Sequence, residues 1–163
     1  MRAYTRTGDS GESSVKGGRV RKDALVFDVL GDLDELNSWL GVVRTTPCSA
    51  MAPDGAAAFD AAFFVRLQRN VVSLSANIAG YAEFPYEVDF VPLLEAEADR
   101  LSPPNAAPFA FCVPDGFVHL ARAVCRRAER SLVRFSPGHP GVPFLNRLSA
   151  HLFALACTIS SAP

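Results

Sequence analysis

Arg122-Ala123-Val124-Cys125-Arg126-Arg127-Ala128-Glu129-Arg130 is the segment that best predicts the fold of this chain. It lies in a stretch without glycine or proline, about Phe117 to Phe135, which predicts a helix. Helical spacing places Arg122, Arg126 and Arg130 on one face. Arginine stays charged and forks onto phosphate or carboxylate, so this face suits a polyanion such as a nucleotide triphosphate. The alternative is a solvated basic face on a bundle helix.

Four further apolar stripes with helical spacing surround this segment. The predicted helices span about residues 24–44, 59–79, 93–101, 117–135 and 145–159. Glycine and hydroxyl residues over 4–22, a linker over 45–55 and a proline-containing loop over 137–143 predict irregular structure. Five helices and no convincing strand predict an all-α five-helix bundle. We expect one domain over residues 1–163, with an N-terminal loop at 1–23 and the helical bundle at 24–160.

Composition excludes several classes of protein. The chain has 163 residues, 49% of them hydrophobic, which is enough for the core of one domain. Its net charge of −1 provides no general basic field for nucleic acid or an anionic membrane. The four cysteines lie far apart without a C-x-x-C pair, and the three histidines lack ligand spacing, so no protein-held metal is expected. Without an apolar run of membrane-spanning length or a signal peptide, we expect a soluble protein inside the cell.

Two segments carry side chains that suit phosphate chemistry. Thr5 to Ser14 combines glycines that permit close backbone approach with hydroxyl donors, and Asp9 or Glu12 is available for Mg²⁺. It lacks the P-loop spacing, so a flexible N-terminal tail remains the alternative. Gly31 to Ser38 holds three carboxylates, and Asp34 lies beside an apolar stripe, which predicts a partner such as Arg122. Asp32 and Glu35 fit ordinary surface acids equally well.

In this order and at these separations, three groups of residues resemble the PduO-type ATP:corrinoid adenosyltransferases. The first contains Tyr4 to Asp9, Gly17 to Val20 and Lys22-Asp23; the second contains Gly31 to Ser38 and Gly41; the third contains Ala121 to Arg130 and Phe144 to Ser149. The resemblance covers nearly the whole chain. It implies a five-helix bundle that forms a homotrimer, with each active site between neighbouring subunits. It also implies transfer of the 5′-deoxyadenosyl group of ATP to the cobalt of reduced cob(I)alamin, giving adenosylcobalamin and triphosphate.

The resemblance implies roles for individual residues. The expected catalytic residues are Asp34, Arg122, Arg126 and Glu129, with Asp34 paired to Arg122. Phe111 is expected to cover the lower face of the corrinoid. ATP and Mg²⁺ are expected to be bound by residues with phosphate-binding side chains or close backbone: Thr5, Arg6, Thr7, Gly8, Asp9, Ser13, Ser14, Lys22, Arg126, Arg127, Arg130 and Asn146. A corrinoid reductase and a B12-dependent enzyme are expected partners, and nucleic acid and membrane are not. The expected compartment is the cytoplasm, or the mitochondrial matrix for a mature eukaryotic chain.

The sequence also departs from the pattern of that family. The segment from Pro114 to Leu120 is about five residues shorter, which is more than one helical turn of ~3.6 residues. Ala150 stands where the family has an acid, and Cys157 stands where it has an arginine. Because both members of a possible ion pair are lost, neither leaves an unpaired buried charge. An active enzyme is the preferred interpretation. The alternative is a degenerate member that binds ATP or corrinoid as a carrier or regulatory protein.

Overall fold

The computed structural model describes residues 4–81, 90–102 and 113–160. Five helices follow a short β-hairpin in this part of the chain: β1 (Glu12–Val15), β2 (Gly18–Arg21), α1 (Leu25–Thr45), α2 (Ala61–Ile78), α3 (Phe90–Leu101), α4 (Gly116–Phe135) and α5 (Gly141–Ser160). Helix α1 packs against α2 and α4, and α5 packs against α4 and α3. The prediction of an all-α five-helix bundle is confirmed.

The apolar stripes of the helices form the core. Helix α1 buries Val29, Leu33, Leu36, Leu40 and Val43, which recur at steps of three and four residues. The ring of Phe90 in α3 lies between those of Phe63 in α2 and Phe144 in α5, with centroid distances of 5.8 and 5.9 Å. Aromatic pairs at this separation add to the stabilisation that comes from burial alone. The aromatic rings therefore connect α2, α3 and α5 within the core.

The N-terminal segment contains a hairpin where we predicted only a loop. Val15 pairs with Gly18 across a turn at Lys16 and Gly17, and both glycines have positive φ, 106° and 148°. Of the glycine pair that suggested a break, Gly17 lies in the hairpin turn and Gly18 begins β2, since glycine adopts positive φ without steric cost. The backbone N–H of Lys16 donates to the carbonyl of Ala79 at 2.9 Å, so the tip of the hairpin is attached to the C-terminal end of α2.

Two helices begin earlier than predicted. Helix α3 begins at Phe90 and α5 begins at Gly141, so Pro92 and Pro143 each lie in a first turn. Proline is tolerated there because the N–H groups of the first turn have no partner within the helix. By length and composition α5 is apolar enough to cross a membrane, but half of it is buried inside the bundle, as expected of a core helix.

Candidate active site

The outer face of α4 presents two arginines to solvent. Arg126 and Arg130 are exposed, and Arg130 Nη1 donates to the carbonyl of Arg126 at 3.2 Å. Within residues 4–81, 90–102 and 113–160, neither of them forms an ion pair. Arg122, one turn earlier, lies with its guanidinium carbon 4.9 Å from the centre of the Phe153 ring, a cation–π contact with α5. Two guanidinium groups of the predicted stripe are therefore available to an anion.

A carboxylate and an amide lie next to these arginines. Asn146 Nδ2 donates to Glu129 Oε1 at 3.0 Å, which joins α5 to α4. The structure thus brings together one predicted catalytic residue and one predicted ATP-binding residue. Beneath them the thiol of Cys125 is fully buried and donates to the carbonyl of Leu145 at 3.3 Å. Burial raises the pKa of this thiol well above its usual range, so Cys125 serves packing between α4 and α5 and stays protonated.

Arg127, a predicted ATP-binding residue, pairs with carboxylates of α1. Its Nε lies 2.8 Å from Asp32 Oδ1 and its Nη2 contacts Glu35, while Ser131 Oγ donates to Asp32 Oδ2 at 2.5 Å. The pKa of Arg127 is raised, mainly by its hydrogen bond to Asp32. The side chain therefore points to α1 and pairs with two carboxylates at the α1–α4 interface, and ATP binding by Arg127 stays a prediction. Asp32 and Glu35, whose sequence pattern fitted ordinary surface acids equally well, hold Arg127 at α1.

Asp34 does not find its predicted partner within one chain. It is exposed, and it lines a groove of about 480 Å³ between α1 and α2, whereas Arg122 lies against Phe153 on α5. In the described part of the chain Asp34 forms no ion pair. The expected pair of Asp34 with Arg122 therefore does not form within the described part of one chain, and it stays a prediction. Helical geometry turns Asp34 away from Leu33 by about 100°.

The N-terminal segment has a folded backbone that positions several predicted phosphate-binding residues. Lys22 Nζ donates to the carbonyl of Gly8 at 2.8 Å, and the hydroxyls of Thr5 and Thr7 lie 2.8 Å apart. Arg6 has a positive φ of 63°, which is uncommon for a residue with a side chain. Asp9 is exposed, and Ser13 and Ser14 lie on β1 opposite Val20 and Arg19. Polar side chains and backbone thus converge within this short segment.

Arg19 is the residue in this segment that we did not predict as functional. Its guanidinium contacts the carbonyl of Thr7, donates to the carbonyl of Glu12 at 3.0 Å and pairs with the Glu12 carboxylate at 3.3 Å. It therefore holds the turn that carries Thr7 and Gly8 against β1. The only signal in the sequence was its position after the glycine pair.

Some expectations lie outside these contacts. Phe111, the predicted corrinoid-binding residue, lies outside the described residues. Across the described ranges, no hydrogen bond or ion pair joins the N-terminal segment to Arg126 or Arg130 of the same chain, and no group of three or more His, Cys, Asp and Glu could hold a metal. Ala150 is exposed and Cys157 is half-buried, so the two replaced positions leave no buried charge.

Fold and site together define a helical-bundle protein in which one helix face exposes two arginines. The sequence profile of the cobalamin adenosyltransferase family matches residues 3–159. The chain belongs to this family.

Two relatives and one solved structure illustrate the similarity. The corrinoid adenosyltransferase of Bacillus subtilis is 31% identical, and the match covers 99% of this chain and 88% of the relative. The cobalamin adenosyltransferase of Cupriavidus metallidurans is 35% identical over 97% of this chain and 88% of the relative. A variant PduO-type ATP:corrinoid adenosyltransferase from Lactobacillus reuteri, complexed with cobalamin and ATP, has a TM-score of 0.81 at 24% identity and covers 95% of this chain and 89% of its own. At that identity the structure supports the fold.

Proposed function

We propose that this protein transfers the 5′-deoxyadenosyl group of ATP to the cobalt of reduced cob(I)alamin, giving adenosylcobalamin and triphosphate. Membership of the cobalamin adenosyltransferase family supports the reaction. The observation that carries the proposal at the level of residues is the pair of exposed guanidinium groups, Arg126 and Arg130, beside the hydrogen-bonded Glu129 and Asn146.

The chemistry leaves the protein a limited task. Co(I) is itself the nucleophile: it attacks the 5′ carbon of ATP, the new cobalt–carbon bond forms, and the carbon–oxygen bond to the triphosphate breaks. The protein must bring the reactants into line and stabilise the charge on the departing triphosphate. Arg126 and Arg130 suit that second role, because arginine binds phosphate oxygens through paired N–H donors and remains charged.

The contacts of Glu129 and Asn146 support roles in orientation. The carboxylate of Glu129 accepts from Asn146 at 3.0 Å and lies in sequence next to Arg130. We infer that Asn146 donates its remaining N–H to the nucleotide while Glu129 holds the amide. The backbone and hydroxyl groups of Thr5 to Gly8, with Lys22, are the second set of phosphate contacts in this proposal.

We further propose a homotrimer in which each site is formed by two neighbouring chains. Within one chain, the structure shows no hydrogen bond or ion pair from the described N-terminal residues to Arg126 or Arg130, which supports contributions from different chains. Asp34 is exposed and faces a groove, so its carboxylate is accessible to Arg122 of a neighbouring chain. In this proposal the Asp34–Arg122 pair expected from the sequence forms between chains.

Mg²⁺ enters this proposal together with the nucleotide. Because the described residues hold no cluster of metal-ligating side chains, we propose that the ion is coordinated mainly by phosphate oxygens and water. Asp9, exposed in the N-terminal turn, is the carboxylate best placed in the sequence to add a ligand. The ion would neutralise phosphate charge while Lys22 and the arginines orient the chain of phosphates.

The first test is multiple-turnover synthesis by the purified protein. It is mixed in the dark with ATP, Mg²⁺ and chemically reduced cob(I)alamin, and the visible spectrum is followed for light-sensitive adenosylcobalamin. Many turnovers per chain would support the enzyme and show that the short segment after Phe111 is tolerated. ATP binding without product would favour a carrier or regulatory protein.

Arg126→Ala tests the role of the arginine face. We expect loss of at least 100-fold in activity with the oligomeric state unchanged, because removal of a contact to developing charge typically costs 10²–10³ in rate. Arg134→Ala is the matched control, since Arg134 is another exposed arginine in the last turn of the same helix. Full activity in Arg126→Ala, or equal losses in both variants, would contradict the proposed role.

A further inference from the structure

Four side chains form a continuous chain of contacts from α3 through α5 to α4. The carboxylate of Glu95 contacts Arg147 Nε, and Arg147 Nη1 donates to Asn146 Oδ1 at 2.7 Å. Asn146 Nδ2 then donates to Glu129 Oε1 at 3.0 Å. These contacts therefore run from Glu95 on α3 to Glu129 on α4, which is next to Arg130 in the sequence.

These contacts allow the amide of Asn146 only one orientation. A guanidinium group can only donate hydrogen bonds, so the amide atom facing Arg147 must be the oxygen. An ionised carboxylate can only accept, so the amide nitrogen must face Glu129. With Oδ1 and one N–H occupied, the second N–H of Nδ2 is the donor that remains.

We propose that Arg147, held by Glu95, is a positioning residue that fixes the Asn146 amide so that its remaining N–H is presented to the nucleotide. This inference rests on the proposed function, because it assumes that ATP binds next to Asn146. It adds two residues, on α3 and α5, that do not touch the nucleotide themselves.

The exposure of the ion pair separates positioning from a role in stability. The side chains of Arg147 and Glu95 are 44% and 47% exposed. Exposed pairs of this kind contribute little to folding, because water and salt screen them. Removing the pair should therefore leave the melting temperature almost unchanged. A loss of ATP affinity would then come from the contact of Arg147 with Asn146.

The decisive variant exchanges the two charges. Glu95→Arg combined with Arg147→Glu restores an α3–α5 ion pair but presents an acceptor to Asn146 in place of a donor. The amide then lies between two carboxylates, so its oxygen meets an acceptor in either orientation and its orientation is no longer fixed. We expect the exchange to keep the melting temperature of the wild type while Kd for ATP rises about tenfold or more. A wild-type Kd for ATP in the charge-exchange variant would overturn the proposal.

Arg147→Lys provides a second test that does not depend on folding of the double variant. Lysine keeps the charge and the pairing with Glu95, but it lacks the planar fork that reaches two acceptors in fixed geometry. We expect Kd and KM for ATP to rise several-fold, with kcat at saturating ATP less affected. A wild-type KM in Arg147→Lys would also overturn the proposal.

The matched control is Glu97→Gln. Glu97 lies on the same helix as Glu95 but pairs with Arg100 at 3.0 Å, away from Asn146. This change should leave Kd for ATP unchanged, whereas Glu95→Gln should raise it. Calorimetry with ATP and Mg²⁺ alone measures these values without any corrinoid. A wild type that binds ATP but makes no adenosylcobalamin would contradict the proposed function and still allow the positioning role to be decided.

Discussion

His151 is a buried residue, 2% exposed, whose ring meets that of Phe63 edge-on at 5.3 Å. Among the residues that the structure describes, neither of its ring nitrogens has a hydrogen-bond partner. Burial, with a smaller contribution from nearby Arg100, lowers its pKa from 6.5 to about 4. His151 is therefore neutral in the folded protein at neutral pH, and it contributes to how stability depends on pH.

This leads to a prediction about acid stability. Below pH 6.5 the unfolded chain binds a proton at His151 that the folded chain does not, so stability falls as pH decreases toward 4. The loss attributable to this group is about 3 kcal/mol, from 1.36 kcal/mol for each pKa unit. We expect His151→Leu to flatten the curve of unfolding free energy against pH over this interval, measured by urea denaturation. An unchanged slope would mean that other groups dominate acid unfolding.

The same scale shows where sequence reasoning failed. Asp32 and Glu35 were indistinguishable from surface acids, yet both hold Arg127. Which of three neighbouring acids meets an arginine on another helix depends on the rotation and register of two helices. That information is absent from spacing along one helix. The pairing of Glu129 with Asn146 was likewise beyond the sequence, although both residues were predicted for the site.

At the scale of elements, the β-hairpin is attached to the bundle through a close backbone contact. Gly80 has φ of 80°, and a Cβ placed on it would lie 3.1 Å from Lys16 Cβ. Glycine is therefore required twice, for its backbone conformation and for the space that the hairpin tip needs. Because Lys22 and the Thr5–Gly8 turn are continuous with the hairpin, its attachment sets the position of the proposed phosphate contacts.

We predict that Gly80→Ala impairs ATP binding more than it impairs folding. The positive φ costs about 1–2 kcal/mol for alanine, and the clash with Lys16 should also displace the hairpin. KM for ATP should rise several-fold. Gly55→Ala is the control, because Gly55 has the same φ of 80° but no atom within 4 Å of the added Cβ. Equal KM values in the two variants would show that the attachment does not matter for ATP.

The helices themselves were largely predictable from sequence. Their apolar residues recur with a period near 3.6, and this signal does not depend on the rest of the fold. One error fell at Pro143, which was interpreted as part of a helix-breaking loop but lies in the first turn of α5. Helix α3 also begins earlier than predicted, with Pro92 in its first turn. The hairpin was missed because its strands are only four residues long and mostly polar. Strands this short carry too few alternations to distinguish them from a loop.

At the scale of the whole molecule, the proposed trimer depends on an ion pair between chains. Asp34→Arg should weaken the trimer because it places like charges opposite each other at each interface. Arg122→Asp should have the same effect, and the double variant should restore the assembly. Analytical ultracentrifugation at micromolar protein measures the result. Trimers in both single variants, or failure of the double variant to reassemble, would contradict an Asp34–Arg122 contact between chains.

The division of the α4 arginines has a consequence for how an anion encounters this protein. Arg127 is neutralised by two carboxylates of α1, whereas Arg126 and Arg130 have no counterion in the described part of the chain. The protein as a whole carries −1, so it has no long-range field to draw ATP from solution. Attraction acts only within about 8 Å, the screening distance at physiological ionic strength. Capture of ATP should therefore depend on diffusion to the face of α4 that carries Arg126 and Arg130. Selectivity among anions should depend on how many phosphate oxygens contact these arginines at once.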